Sequence, residues 1–196
     1  MMMKQTMTNL TIKNSEDNLP DFVHIFQVEN FQKQKPKLLQ SISDMIITND
    51  INLNEKGYYY DFNLPRAPRT YLELFIESIK PSVNQIEEMY GLNCNSLGSP
   101  WFQQYEQGSD FGWHQHGGHF ALILYVELPE MTESTEFLNY GQFDVREGDI
   151  IFFPTFLVHR SPEIISNQRK TIIATNLGFE VDRDLIQLHG KEHFRH

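Results

Sequence analysis

Apolar residues follow two different rhythms along this chain, and the change falls near residue 98. In the first half they recur every three or four positions. The segment Lys37-Leu38-Leu39-Gln40-Ser41-Ile42-Ser43-Asp44-Met45-Ile46 spaces them as a helix with one buried stripe does. A second helix is expected over about 70–90, with Leu72, Leu74, Phe75, Ile79, Val83, Ile86 and Met89 as its stripe. Pro81 lacks an N–H and is expected to kink or divide that helix, and Gly91 to end it. Glu73, Glu77, Glu87 and Glu88 fall mostly off the stripe and make a solvated face. Ahead of both helices, Phe22-Val23-His24-Ile25-Phe26-Gln27-Val28 is rich in strand formers and begins the ordered fold, with His24 as an edge residue. Residues 1–20 lack either period and are read as a loosely held arm.

From about residue 99 the rhythm shortens to that of strands, expected over 101–105, 120–127, 143–145, 149–154 and 171–178. Turn residues separate them at Gly108-Ser109-Asp110, Gly117-Gly118, Pro129, Gly141 and Glu147-Gly148. Many short strands without intervening helices predict a mainly β fold with supporting helices, an antiparallel sandwich or jelly roll. A length of 196 residues suits one domain over 21–196, with a helical support layer over about 21–97 and a jelly-roll core over about 98–180. The last residues, 188–196, carry His189, His193 and His196 among charges and read as a solvent-exposed tail.

Composition narrows the class. An apolar fraction of 40% with 13% aromatics is that of a globular protein. A net charge of -10 repels phosphate backbones, and no basic groove offsets it, so nucleic acid is not the expected partner. No apolar run approaches the roughly 20 residues of a membrane span, and the first ten residues do not resemble a signal peptide. Cys94, the single cysteine, leaves no intrachain disulfide and suits a reducing compartment, as a buried bystander thiol. A soluble cytoplasmic protein is expected.

The chemistry gathers on histidines. His114 and His116 stand one residue apart, so on an extended strand their side chains share a face and can converge on one metal ion at about 2.1 Å each. By itself the pair could equally pack among aromatics such as Phe111 and Trp113. The strand Glu147-Gly148-Asp149-Ile150-Ile151-Phe152-Phe153-Pro154 then delivers His159 after a short loop, and three histidines on two strands of one sandwich make a site.

These histidines, with Tyr105, Tyr125-Val126, Gly148-Asp149, Phe153-Pro154, Arg169-Lys170-Thr171 and Asn176, resemble the core of the 2-oxoglutarate and Fe(II)-dependent dioxygenases over roughly residues 99–179. The nearest likeness is to small prolyl-hydroxylase-like proteins of bacteria and of phages of marine cyanobacteria. The resemblance implies a double-stranded β-helix, Fe(II) and 2-oxoglutarate as cofactors, and hydroxylation of a C–H bond in a peptide (prolyl-type) or small-molecule substrate, with release of succinate and CO2. It implies the cytoplasm of the host where a phage carries the gene. By the same resemblance His114 is the first iron ligand and His159 the distal one. Arg169 pairs with the far carboxylate of 2-oxoglutarate, Tyr125 hydrogen-bonds it, and Tyr105 and Thr171 are further candidates for that pocket. His119 lies near the mouth.

His116 departs from the family, which places Asp or Glu there. Three arrangements are open: a three-histidine site; a halogenase-like site in which His116-Gly117-Gly118 leaves a place for chloride; or a carboxylate from elsewhere, with Asp110, Glu127 and Glu136 as candidates. Two rivals remain beside the oxygenase. A cupin-type dioxygenase or isomerase shares the His-x-His spacing but wants a Glu where this chain has Phe120 and Ala121, and it gives Arg169 no task. A jelly-roll binding module without metal would leave the histidines as core or rim residues.

Overall fold

The computed structural model describes residues 19–64, 67–130 and 133–181. The expected arm, save its last two residues, and the histidine-bearing tail lie outside the described residues. In chain order the elements are β1 (His24–Gln27), α1 (Phe31–Thr48), β2 (Tyr58–Tyr60), α2 (Leu72–Tyr90), β3 (Leu92–Leu97), β4 (Trp101–Tyr105), β5 (Phe111–His114), β6 (Phe120–Glu127), β7 (Glu136–Phe137), β8 (Gly141–Gln142), β9 (Asp149–Pro154), β10 (His159–Ser161) and β11 (Lys170–Val181). Among the described residues no helix is long and apolar enough to cross a membrane.

The expected stripes hold with three differences. α1 starts six residues before its expected segment, because Phe31 is buried together with Leu38, Ile42 and Met45. α2 runs unbroken through Pro81. Pro81 and Glu77, whose carbonyl loses its N–H partner, both face solvent, where water replaces the missing donor. Met89, expected on the stripe, is exposed, while Tyr90 beside it packs against His24 and Phe120.

All strand pairs are antiparallel, in two sheets. The larger has seven strands in the order β1-β9-β6-β11-β4-β2, with β3 also paired to β11, and the smaller has four, β5-β10-β7-β8. The fold is a double-stranded β-helix supported by two helices. The strand expected over 143–145 does not form. Phe143 and Val145 are buried, but the ladder ends with β8.

Period-2 alternation in the larger sheet divides the core in two. Leu122, Leu124 and Val126 of β6, with Ile150 and Phe152 of β9, join Leu38, Ile42, Phe75 and Ile79 of the helices. Ala121, Ile123 and Tyr125, with Ile151 and Phe153, face the smaller sheet and its Phe137. With both faces covered, these strands read as continuous apolar runs rather than as alternating ones.

His24 takes its expected edge position, on the outermost strand β1, and its Nε2 lies 2.6 Å from the Tyr90 hydroxyl at the end of α2. Gly148, in the turn before β9, is held at φ 84°. A Cβ there would lie 2.7 Å from the Phe31 ring. Gly148→Ala therefore combines backbone strain with overpacking and is expected to cost about 2–4 kcal/mol, read as a lower midpoint of denaturant unfolding at unchanged slope.

Candidate metal centre

His159 and His114 are direct cross-strand partners on β10 and β5. β5 ends at His114, so His116 is not on the same strand as expected; it lies two residues on, where its backbone N–H donates to the Thr155 carbonyl at 3.2 Å. The three imidazoles nevertheless converge, with ring centroids 4.3 to 5.0 Å apart. One nitrogen from each lies within 4.8 Å of the others, and among the described residues no carboxylate or thiolate joins the group.

The backbone fixes which nitrogen is available. His114 Nδ1 lies 2.8 Å from the Gly112 carbonyl, and His159 Nδ1 lies 2.8 Å from that of Leu157. A carbonyl only accepts, so each Nδ1 carries the proton and each Nε2 keeps its lone pair. His159 Nε2 stands 3.1 Å from His116 Nε2. Two ligands at about 2.1 Å and a right angle from one ion would be about 3.0 Å apart, so this pair has the spacing of adjacent ligands on one metal. Burial pushes the imidazolium of His116 down to about 4 and that of His159 down to about 3, with neighbouring histidines adding to both shifts. Burial also lowers His114. The nitrogens are thus unprotonated and ready to ligate at neutral pH.

The carboxylates named as alternatives are engaged elsewhere or outside the group. Glu127 pairs with Arg169, Glu136 with Arg160, and Asp110 is exposed. The imidazole of His116 itself lies in the same group of nitrogens as His114 and His159.

A cavity of about 310 Å³ extends from the histidines between the two sheets. Tyr58, Tyr60, Phe62, Trp101 and Phe111 form an aromatic wall. Trp101 lies tilted 5.6 Å from the His116 ring, and Phe62, 61% exposed, meets Trp101 edge-on at 5.6 Å. Tyr105, Thr135, Ser161 and Lys170 also line the cavity. Ser161 stands two residues beyond His159, about 6–7 Å further along the same face of β10. Lys170, 0% exposed, donates from Nζ to Ser161 Oγ at 2.7 Å and lies 5.1 Å from the centre of the Tyr105 ring. Burial pulls its ammonium down to about 7, against the raising influence of Glu133.

Arg169 is not brought to the cavity. Its guanidinium forks onto Glu127 at 2.8 and 3.0 Å and is 38% exposed. Thr171 also turns away, donating its hydroxyl to Glu127 and accepting from Gln104. The reason is strand parity: Lys170, Ile172 and Ala174 line the cavity, while Thr171 and Ile173 point to the other face. Tyr125 is fully buried beside the cavity rather than on it, and its hydroxyl donates to Thr135 Oγ1 at 2.8 Å. Tyr105 does line the cavity. His119 is spent on structure, its Nδ1 accepting the Phe179 N–H at 2.9 Å.

No family model and no curated protein matches the sequence. Solved structures do. A viral collagen prolyl hydroxylase from Paramecium Bursaria Chlorella virus-1, in a 2OG complex, superposes with a TM-score of 0.58 at 14% identity, over 83% of this chain and 97% of that one. A prolyl hydroxylase from Trichoplax adhaerens, in complex with a hypoxia inducible factor peptide fragment, gives a TM-score of 0.61 at 8% identity, over 88% of each chain. HygX from Streptomyces hygroscopicus, with nickel, 2-oxoglutarate and hygromycin B bound, gives 0.58 at 9% identity, over 80% and 82%. The chain has the fold of the 2-oxoglutarate oxygenases. Within that fold the departures are its own: an imidazole where a carboxylate was expected, and a lysine rather than the neighbouring arginine in the cavity. Lys170 went unassigned because both faces of β11 are buried, so apolar pattern alone does not say which of two adjacent cations points inward. The alternation continued by Ile172 and Ala174 was the available signal.

Proposed function

We propose that this protein is an Fe(II)- and 2-oxoglutarate-dependent oxygenase. The observation that carries this reading is one cavity lined by three converging imidazole donors, two of them 3.1 Å apart at Nε2, and by a buried ammonium that donates to Ser161. When bound, the metal and cosubstrate supply the oxidising chemistry, consuming O2 and releasing succinate and CO2. The chain's own residues bind and orient. His114 and His159 present lone pairs held in place by the Gly112 and Leu157 carbonyls, and His116 adds its Nε2 at 3.1 Å from that of His159. Lys170 and the Ser161 hydroxyl receive the far carboxylate, a charge-assisted pair on a fully buried lysine. Tyr105 and Thr135 complete that end.

The aromatic wall of Tyr60, Phe62 and Trp101 receives the C–H bond to be hydroxylated, on a peptide or a small molecule. The surface charge of -10 favours a basic peptide over nucleic acid as partner. The test is succinate formation from 2-oxoglutarate with Fe(II) and no added substrate. Turnover that a chelator abolishes is expected. A chain that binds no metal and makes no succinate would instead be a binding module, and metal without 2-oxoglutarate dependence would return the cupin reading.

A further inference from the structure

The three donors at the centre are all neutral, and no carboxylate stands among them in the described residues. A divalent ion there keeps its full charge. A second cation, Lys170, is sealed in the same cavity, with the uncharged Ser161 hydroxyl as its hydrogen-bond partner. Of the nearby carboxylates, Glu133 spends one oxygen on the Ile165 and Ser166 N–H groups, at 2.9 and 2.6 Å. A bound metal therefore keeps its charge uncompensated by these donors, and a dianion that reaches from it toward Lys170 and Ser161 would satisfy it.

Resting on the oxygenase reading, we propose that His116 makes metal binding conditional on the dianion: metal and 2-oxoglutarate are held as a unit, each weakly without the other. A carboxylate at position 116 would neutralise half of the metal's charge and hold the ion unaided. An imidazole leaves that task to the cosubstrate. Linkage requires the coupling to be reciprocal. An all-nitrogen set also discriminates more strongly against Mn(II), which favours oxygen donors, and for Co(II) and Ni(II).

Co(II) titration without oxygen, followed by its visible absorption, reads this directly and requires no turnover. In the wild-type chain, saturating 2-oxoglutarate is expected to tighten Co(II) binding by about tenfold or more. In His116→Asp, Co(II) alone binds more tightly and the enhancement by 2-oxoglutarate shrinks severalfold. His116→Glu serves the same purpose should the aspartate variant fail to fold. The proposal is overturned if 2-oxoglutarate leaves wild-type Co(II) affinity unchanged, or if a carboxylate variant keeps the full enhancement. If Co(II) and succinate formation are both lacking, the oxygenase reading fails with it. If succinate forms without coupling, only this inference falls.

Discussion

Replacement of His159 by alanine should strip the metal and abolish turnover together. His159 is the most buried of the three donors, and its ring is fixed from both sides, by the Leu157 carbonyl on Nδ1 and by the Phe153 ring at 4.8 Å. Its Nε2 also stands 3.1 Å from that of His116. Loss of a partner that merely orients a ligand costs 10–100-fold in metal affinity in other sites, so loss of the ligand itself should exceed about 100-fold. Metal content after dialysis measures this, alongside thermal unfolding without metal to separate a lost ligand from a damaged fold. Full metal content in a folded His159→Ala chain would remove this residue from the centre.

The legible part of this molecule is the part that repeats. The helix stripes follow from periodicity, since burial on a known face leaves a fixed spacing in the sequence, whereas the strands at 101–105, 120–127 and 149–154, and with them the jelly-roll class, follow from short apolar runs of strand formers bounded by turn residues. The histidine trio was legible as three candidates because metal-binding chemistry restricts residue type so strongly. What failed was decided by one-residue differences in direction. Arg169 and Lys170 are adjacent cations on a strand covered on both faces, and only the register of β11 against β4 and β6 turns one inward. Thr171 was misplaced for the same reason. Tyr125 had the correct parity but lies too deep, its hydroxyl already claimed by Thr135, which stands ten residues on, just before β7, and which no local pattern ties to it.

Lys170→Met should raise the 2-oxoglutarate requirement by about 30-fold or more, since truncating one member of a buried charged pair costs roughly 2–5 kcal/mol. Methionine keeps the length and apolar stem, so the cavity is not widened, and Ser161 and Tyr105 retain their packing. Arg169→Ala is the control: it breaks a partly exposed pair with Glu127, worth about 0–1 kcal/mol of stability, and should leave the cosubstrate requirement unchanged. The pH dependence adds a signature. The ammonium must be charged to receive the carboxylate, and burial places its midpoint at about 7, below the ordinary lysine value. Affinity is thus fully present below that midpoint and is lost as pH rises through it, by about tenfold between pH 6 and 8. His116 and His159 titrate far below this window and contribute no slope to it. In Lys170→Met the slope should vanish along with the affinity. If the wild-type slope persisted in that variant, a different cation would be holding the carboxylate, and an unchanged slope in Lys170→Met with loss in Arg169→Ala would reverse the two assignments.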